Sequence, residues 1–253
     1  MNSSFINGLW GIYSTKNHWW TRLSKCDQDI KFHKLNTYSP KTVVYIFGDE
    51  NYKRMVDLGF TCKLIDKNPI VWDMETEQYR HKIEIWKAGL QDFDSITFLD
   101  FDCIPLRPIP SSFWDVMNEG APIKTPIYVY HRKMVNRPPD DNRKVSSASF
   151  VYIRGKEHAE GIIKKWEEMG RHWKEELPLT AYIDSLDGGW KGVEGYRKYD
   201  PAYYEMSKQV YNNKKDRSKL IFGHFNHHVI KRLIGNGKDV KVRVDDLAKR
   251  MFE

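Results

Sequence analysis

Apolar and polar positions divide the first half of the chain into stretches that alternate between strand-like and helix-like. Residues 9–13 (Leu-Trp-Gly-Ile-Tyr) read as a short strand, and residues 18–32 as a helix with Trp19, Leu23 and Ile30 on or near one side. Residues 42–47 form an apolar, β-branched run closed by Gly48-Asp49, the pattern of a buried strand ending in a turn. Residues 51–58 predict a short helix stopped at Gly59, and residues 60–65 a further strand. Residues 77–90 predict a longer helix, because Tyr79, Ile83, Trp86 and Leu90 keep the 3,4 spacing of one apolar stripe. Residues 95–99 predict a buried strand. Strands alternating with helices indicate an α/β fold: a mainly parallel sheet covered by helices on both faces.

The second half is less regular. Residues 121–144 are rich in Pro and charge and predict long loops. Residues 148–153 predict a strand ending at Gly155. Residues 158–173 predict a helix with Ile162, Trp166, Met169 and Trp173 on one side. Gly188-Gly189 and the stretch from Gly192 to Gly195 mark loops. Residues 220–222 predict a last short strand, followed by Gly223-His224. No internal repeat and no low-complexity segment is present.

Composition bounds this picture. A chain of 253 residues that is 40% hydrophobic and 14% aromatic can bury a large core, which excludes a disordered protein. A single domain over residues 1–253 is expected, with residues 1–108 and 109–231 as two halves and 232–253 as a basic tail. No apolar run approaches the roughly 20 residues that span a bilayer. Residues 1–16 lack a charged start and a continuous apolar run, so no signal peptide is expected. Cys26, Cys62 and Cys103 are scattered and form no Cys-x-x-Cys. This argues against a disulfide framework or a zinc site and for a cytoplasmic location, the host cytoplasm if the chain is viral. The oligomeric state is not legible.

The net charge of +7 is localised. Residues 206–253 hold 12 Lys+Arg against 5 Asp+Glu, so the remainder is neutral. A second basic cluster comprises His131-Arg132-Lys133, Arg137, Arg143 and Lys144. A solvated surface explains such runs, and so does a docking face for a polyanion such as nucleic acid.

The most informative stretch is Ser95-Ile-Thr-Phe-Leu-Asp100-Phe-Asp102-Cys-Ile-Pro-Leu-Arg-Pro108. An apolar strand runs into two Asp at i and i+2, which alternation puts on one side at the strand's carboxyl end. Ligands of open α/β sheets bind at that end. Two hard oxygen donors there suit a divalent ion that also grips a diphosphate. Asp-x-Asp occurs three times, at Asp27/Asp29, Asp92/Asp94 and Asp100/Asp102. Only the third follows a buried strand, where paired charges need a cation or donors; turn amides and Arg107 are the competing explanation.

The run Lys82 … Trp86 … Phe98-Leu-Asp100-Phe-Asp102-Cys-Ile-Pro-Leu resembles the core motif of GT-A-fold glycosyltransferases, especially the glycogenin and bacterial galactosyltransferase branch. The resemblance implies a Rossmann-like sheet and sugar transfer from a nucleoside-diphosphate sugar, a UDP-sugar above all, with Mn²⁺ or Mg²⁺ as cofactor. It implies Asp100, Asp102 and His224 as metal ligands, with His227 or His228 as substitutes. Gly11, Tyr13 and Asp49 fall on the nucleotide side. Arg80, Lys82 and Lys231 are the cations toward the phosphates or sugar. Ser149, in the small-residue stretch Ser146-Ser-Ala-Ser149, falls beside the donor sugar. Glu176 and Asp184 are the candidate carboxylates at the sugar or acceptor, with Glu175 competing.

The acceptor is open among sugar, lipid, protein and nucleic acid. The basic segments and small size are similar in profile to a bacteriophage enzyme that glycosylates hydroxymethylated DNA bases. The alternatives are a transferase extending a surface or protein glycan, and a non-catalytic nucleic-acid-binding protein.

Overall fold

The computed structural model describes residues 1–9, 42–57, 59–68, 78–100, 103–105, 109, 111–125, 127–129, 144–146, 148–169, 176–186 and 222–224. Among them are ten strands: β1 (Ser3–Leu9), β2 (Thr42–Phe47), β3 (Thr61–Asp66), β4 (Ser95–Leu99), β5 (Cys103–Pro105), β6 (Ile123–Lys124), β7 (Ile127–Val129), β8 (Lys144–Ser146), β9 (Phe150–Arg154) and β10 (Phe222–His224). The described helices are α1 (Asp49–Asp57), α2 (Gln78–Asp92), α3 (Phe113–Asn118), α4 (Lys156–Glu168) and α5 (Glu176–Ser185). A six-stranded, mainly parallel sheet has the order β3-β2-β1-β4-β9-β6. Strand β1 pairs parallel with β2 and β2 with β3, while β6 runs antiparallel to β9. Strands β5 and β10 form a separate antiparallel pair, as do β7 and β8. The α/β, Rossmann-like expectation therefore holds.

The sequence pattern and the structure differ in several places. Strand β1 covers 3–9, whereas residues 10–13 of the strand expected over 9–13 lie outside the described residues; the polar residues of β1 find partners that no local pattern reveals. The stretch expected to be loops contains β6, β7 and the start of β8, each too short to show a period. The last strand among the described residues is 222–224, so His224 lies within it rather than after it. The helix expected over 18–32 lies outside the described residues.

The chain packs as two compact units. One gathers Ser4–Trp72, Leu99–Phe113 and Asp200–Glu253; the other gathers Met1–Ser3, Asp73–Phe98 and Trp114–Tyr199. In the first, Val44, Ile46 and Met55 are buried, with Tyr52, Phe60 and Cys62 packed against them. Each such large side chain contributes about 1.5–3 kcal/mol on burial. Burial also pushes the Cys62 thiol up to about 11, so it is held as a neutral thiol. The turn from β2 into α1 needs Gly48 at φ 97°, and its N–H donates to the Asp66 carbonyl at 2.8 Å. Asp49 and Glu50 open α1 and Arg54 lies in its last turn, each charge matching the helix dipole. Phe5 stacks on Phe113 with centroids 4.9 Å apart.

In the second unit, α2 buries Lys82, Ile83, Ile85, Trp86 and Leu90. The Trp86 ring meets Phe98 of β4 edge-on at 5.9 Å. Helix α4 buries Ala159, Ile162 and Trp166 and packs on α2 and α5. Gly161 leaves room for the Tyr182 ring, which a Cβ at that position would strike. His158 Nδ1 lies 3.0 Å from the Tyr182 hydroxyl, and burial lowers its pKa from the usual histidine range.

At the Ser95 end of β4, hydroxyls and amides close on one another. Ser95 Oγ lies 2.7 Å from Ser3 Oγ and donates to Asn118 Oδ1 at 3.0 Å. Tyr152 Oη donates to the same Asn118 oxygen at 2.6 Å, and Asn118 Nδ2 donates to Ser3 Oγ. Two cations finish α3: Lys124 Nζ donates to the Val116 and Glu119 carbonyls at 2.6 Å each, and Arg154 donates to the Asn118 and Gly120 carbonyls. These are the carbonyls a helix end leaves without internal partners. Burial, and then Arg154, push Lys124 down to about 8, against the pull of Glu119.

Candidate functional site

The strand order reverses direction about β1. Strands β2 and β3 extend from one side of it, and the chain then returns through α2 to place β4 on the other side. That reversal is where open α/β sheets form the crevice that takes a ligand, at the carboxyl ends of the two flanking strands. The carboxyl end of β4 is Leu99, and all five of its residues are buried. Asp100 follows immediately and is partly exposed. The fold thus brings a carboxylate out of a buried interior strand at its carboxyl end, as the apolar run predicts.

Asn7 of β1 is 3% exposed, and its Nδ2 donates to the Leu99 carbonyl at 2.5 Å. Two residues past Asp100 in the chain, Asp102 lies outside the described residues; Cys103, its neighbour, opens β5. Strand β5 pairs antiparallel with β10 in the register Cys103↔His224, Ile104↔Gly223 and Pro105↔Phe222. Directly opposed Cα atoms of such a pair are about 4.5–5.5 Å apart. The backbone register therefore sets His224 across from the residue that follows Asp102. Among the described residues no three His, Cys, Asp or Glu side chains gather as a metal site.

The other candidates fall in different surroundings. Asp49, two residues past the end of β2, is the first residue of α1 and exposed; its N–H donates to the Lys67 carbonyl at 2.9 Å. Arg80 lies in the first turn of α2. Lys82 lies within the apolar face of α2, 3% exposed, with Nζ 5.2 Å from the Phe98 ring centroid. The core face of α2 is broader than a 3,4 stripe because positions 82, 83, 85 and 86 are all covered. Gly11, Tyr13 and Lys231 lie outside the described residues.

Ser149 is 5% exposed, just before β9. Glu176 opens α5, as its sequence suggests, and is partly exposed. Its carbonyl accepts from Thr180 Oγ1 at 2.6 Å and from Ser146 Oγ at 3.1 Å. The Ser146 N–H donates to Thr180 Oγ1 at 3.1 Å. These bonds tie the small-residue stretch to the first turn of α5. Asp184, two turns on, is exposed. The sequence reading passes over Asn7 and Thr180; an Asn directly after the apolar pair Phe5-Ile6 is the one local signal of the former.

No protein family matches the chain, and no curated protein sequence matches it. Several solved structures are similar. Mouse xyloside xylosyltransferase 1 shares 8% identity over 90% of this chain and 99% of that one, with a TM-score of 0.45. The glycosyltransferase GlyE of Streptococcus pneumoniae shares 11% identity with a TM-score of 0.47; all of this chain is covered, and it spans 60% of the length of GlyE. A glycosyltransferase involved in glycosylation of the major capsid of PBCV-1 shares 13% identity over 100% of both chains, with a TM-score of 0.41. At these identities none of them assigns an activity to the chain.

Proposed function

We propose that the chain is a glycosyltransferase of GT-A type that moves a sugar from a nucleoside-diphosphate sugar, a UDP-sugar, to a hydroxyl acceptor. The observation that carries this reading is the β5–β10 register. It brings the backbone of His224 opposite Cys103, next in the chain to Asp102, just beyond the strand end that carries Asp100. Two carboxylates and an imidazole are a donor set suited to Mn²⁺ or Mg²⁺ once water and diphosphate oxygens complete the shell. Such an ion would supply neutralising charge at the diphosphate as it leaves.

The remaining roles belong to the chain's own groups. Lys231 and Arg80 would meet phosphate oxygens, and Lys82 would add its field to the same charge. Gly11, Tyr13 and Asp49 would border the nucleotide, and Ser149 the donor sugar. In transfer, the bond from the sugar carbon to the diphosphate oxygen breaks and a bond to the acceptor oxygen forms. The acceptor proton goes to a carboxylate, Glu176 before Asp184, if configuration inverts. If configuration is retained, the departing phosphate takes it.

The acceptor we favour is a hydroxymethylated base of phage DNA. Supporting this are the basic excess of residues 206–253 and the cluster from His131 to Lys144, since phosphate neutralisation dominates affinity for nucleic acid. The test is mass spectrometry of nucleosides from hydroxymethylated DNA incubated with a panel of nucleotide sugars and Mn²⁺. A hexose or pentose mass shift that falls as salt rises is expected. Full activity of Asp102→Asn would overturn the metal site. Transfer to glycan or protein hydroxyls alone would overturn the DNA acceptor. No thermal stabilisation by any nucleoside diphosphate with Mn²⁺ would favour a nucleic-acid-binding protein without catalysis.

A further inference from the structure

We infer that Asn7 is a positioning residue for Asp100, an inference that rests on the reading of Asp100, Asp102 and His224 as a divalent-cation site. Strand β1 places Phe5 and Ile6 wholly in the core, and Asn7 follows them at 3% exposure. Asn is a poor strand former, and burying an amide without partners is costly. An aliphatic side chain would be the ordinary occupant. The amide instead has a specific use: Nδ2 donates to the Leu99 carbonyl at 2.5 Å. Leu99 is the last residue of β4, where the ladder stops and the chain departs toward Asp100.

The carbonyl of Leu99 and the N–H of Asp100 belong to one planar peptide group. Holding that carbonyl therefore fixes the plane from which Asp100 leaves the strand and the position of its Cα, so that only rotation about its own N–Cα bond separates the held plane from its Cβ. Asn7 lies on β1 and Leu99 on β4, the two strands that flank the reversal in strand order. The amide thus braces the turn that leads from β4 to Asp100. Groups that orient metal ligands from behind typically cost ten- to a hundred-fold in metal affinity when removed.

The test counts free Mn²⁺ by electron paramagnetic resonance against wild type, Asn7→Leu, Asn7→Ser, Asp100→Asn and Ser4→Ala, with a thermal melt of each. Asn7→Leu removes the donor at similar volume; Asn7→Ser is the milder change that guards against loss of the fold. Ser4, the other buried polar residue of β1, donates to the adjacent Phe5 carbonyl and serves as a control for general damage to the strand. Both Asn7 variants are expected to melt cooperatively and to bind Mn²⁺ about tenfold more weakly, while Ser4→Ala binds as wild type. If Asp100→Asn weakens Mn²⁺ binding but the Asn7 variants lose only melting temperature, Asn7 is structural and the inference falls alone. If wild type binds no Mn²⁺, the cation site itself falls and takes the inference with it.

Discussion

The two ends of β4 use polar groups in opposite ways. At Ser95, hydroxyls and amides of Ser3, Ser95, Asn118 and Tyr152 are spent on one another, and two cations are spent on the carbonyls that end α3. At Leu99, a buried amide is spent on the main chain just ahead of a carboxylate. The same five-residue strand, buried throughout, thus begins among polar groups consumed by the fold and ends in a carboxylate presented by it. Polar burial alone does not distinguish structure from chemistry. What distinguishes them is whether the polar groups close on one another or aim a charged group outward.

The largest expected effect that would break this contrast lies at the charged end. Asp102→Asn is expected to lower sugar transfer by about three orders of magnitude, the upper range for losing one electrostatic contact to a developing charge. Its melting temperature is expected to stay near wild type in a calorimetric scan. A comparable loss of stability would put Asp102 in the fold instead.

At the Ser95 end, Asn118→Ala strips the acceptor from Tyr152 and Ser95 and is expected to cost about 2–3 kcal/mol in urea unfolding. Its Mn²⁺ affinity should not change; a weaker affinity would erase the distinction between the ends. Lys124 sharpens the same point through pH. Its ammonium sits at about 8 in the fold against an ordinary 10.5, because burial disfavours the charge. Between those values the unfolded chain holds a proton that the folded chain has shed. The contribution of Lys124 to stability therefore rises as pH climbs from about 8 toward 10.5 and is flat below that window. Lys124→Met should remove this rise, read as the difference from wild type in urea melts across the range.

The smallest effect concerns the tie between β8 and α5. Thr180→Val keeps shape and loses the hydroxyl that accepts from Ser146 and donates to Glu176. A cost of about 1 kcal/mol is expected. Thr180→Ser should restore it, which equilibrium unfolding of the two variants would check.

Much of the frame was legible from the sequence. Strands β2 and β4 match their predicted bounds because continuous apolar runs there meet sharp polar borders. Helices α1 and α2 follow from periodicity and from Gly59. The strand over 3–8 was not legible because Ser3, Ser4 and Asn7 interrupt its apolar pattern. Ser3 and Asn7 are made tolerable by Ser95 and Leu99, residues far away in sequence. Strands β6, β7 and β8 hold two or three residues each, below any period. Asp100 could be read from the end of an apolar run, and Glu176 from the start of a helix. The burial of Lys82 was not legible, because nothing local shows that an aromatic ring offers the charge a seat inside. Asn7 and Thr180 matter through pairings that only the fold creates.

The three-residue pairing of β5 with β10 has a consequence in time. Cys103 and His224 are separated by nearly half the chain, and a growing polypeptide folds from its N-terminal end. The strand end that carries Asp100 is synthesised long before its opposite number at His224. On our reading of the ligands, the chain acquires its cation only once that late strand has docked. From then on a bound ion would act as a removable cross-link, stabilising the folded state by mass action and releasing it when chelated. Catalytic competence would then be the last property that synthesis confers.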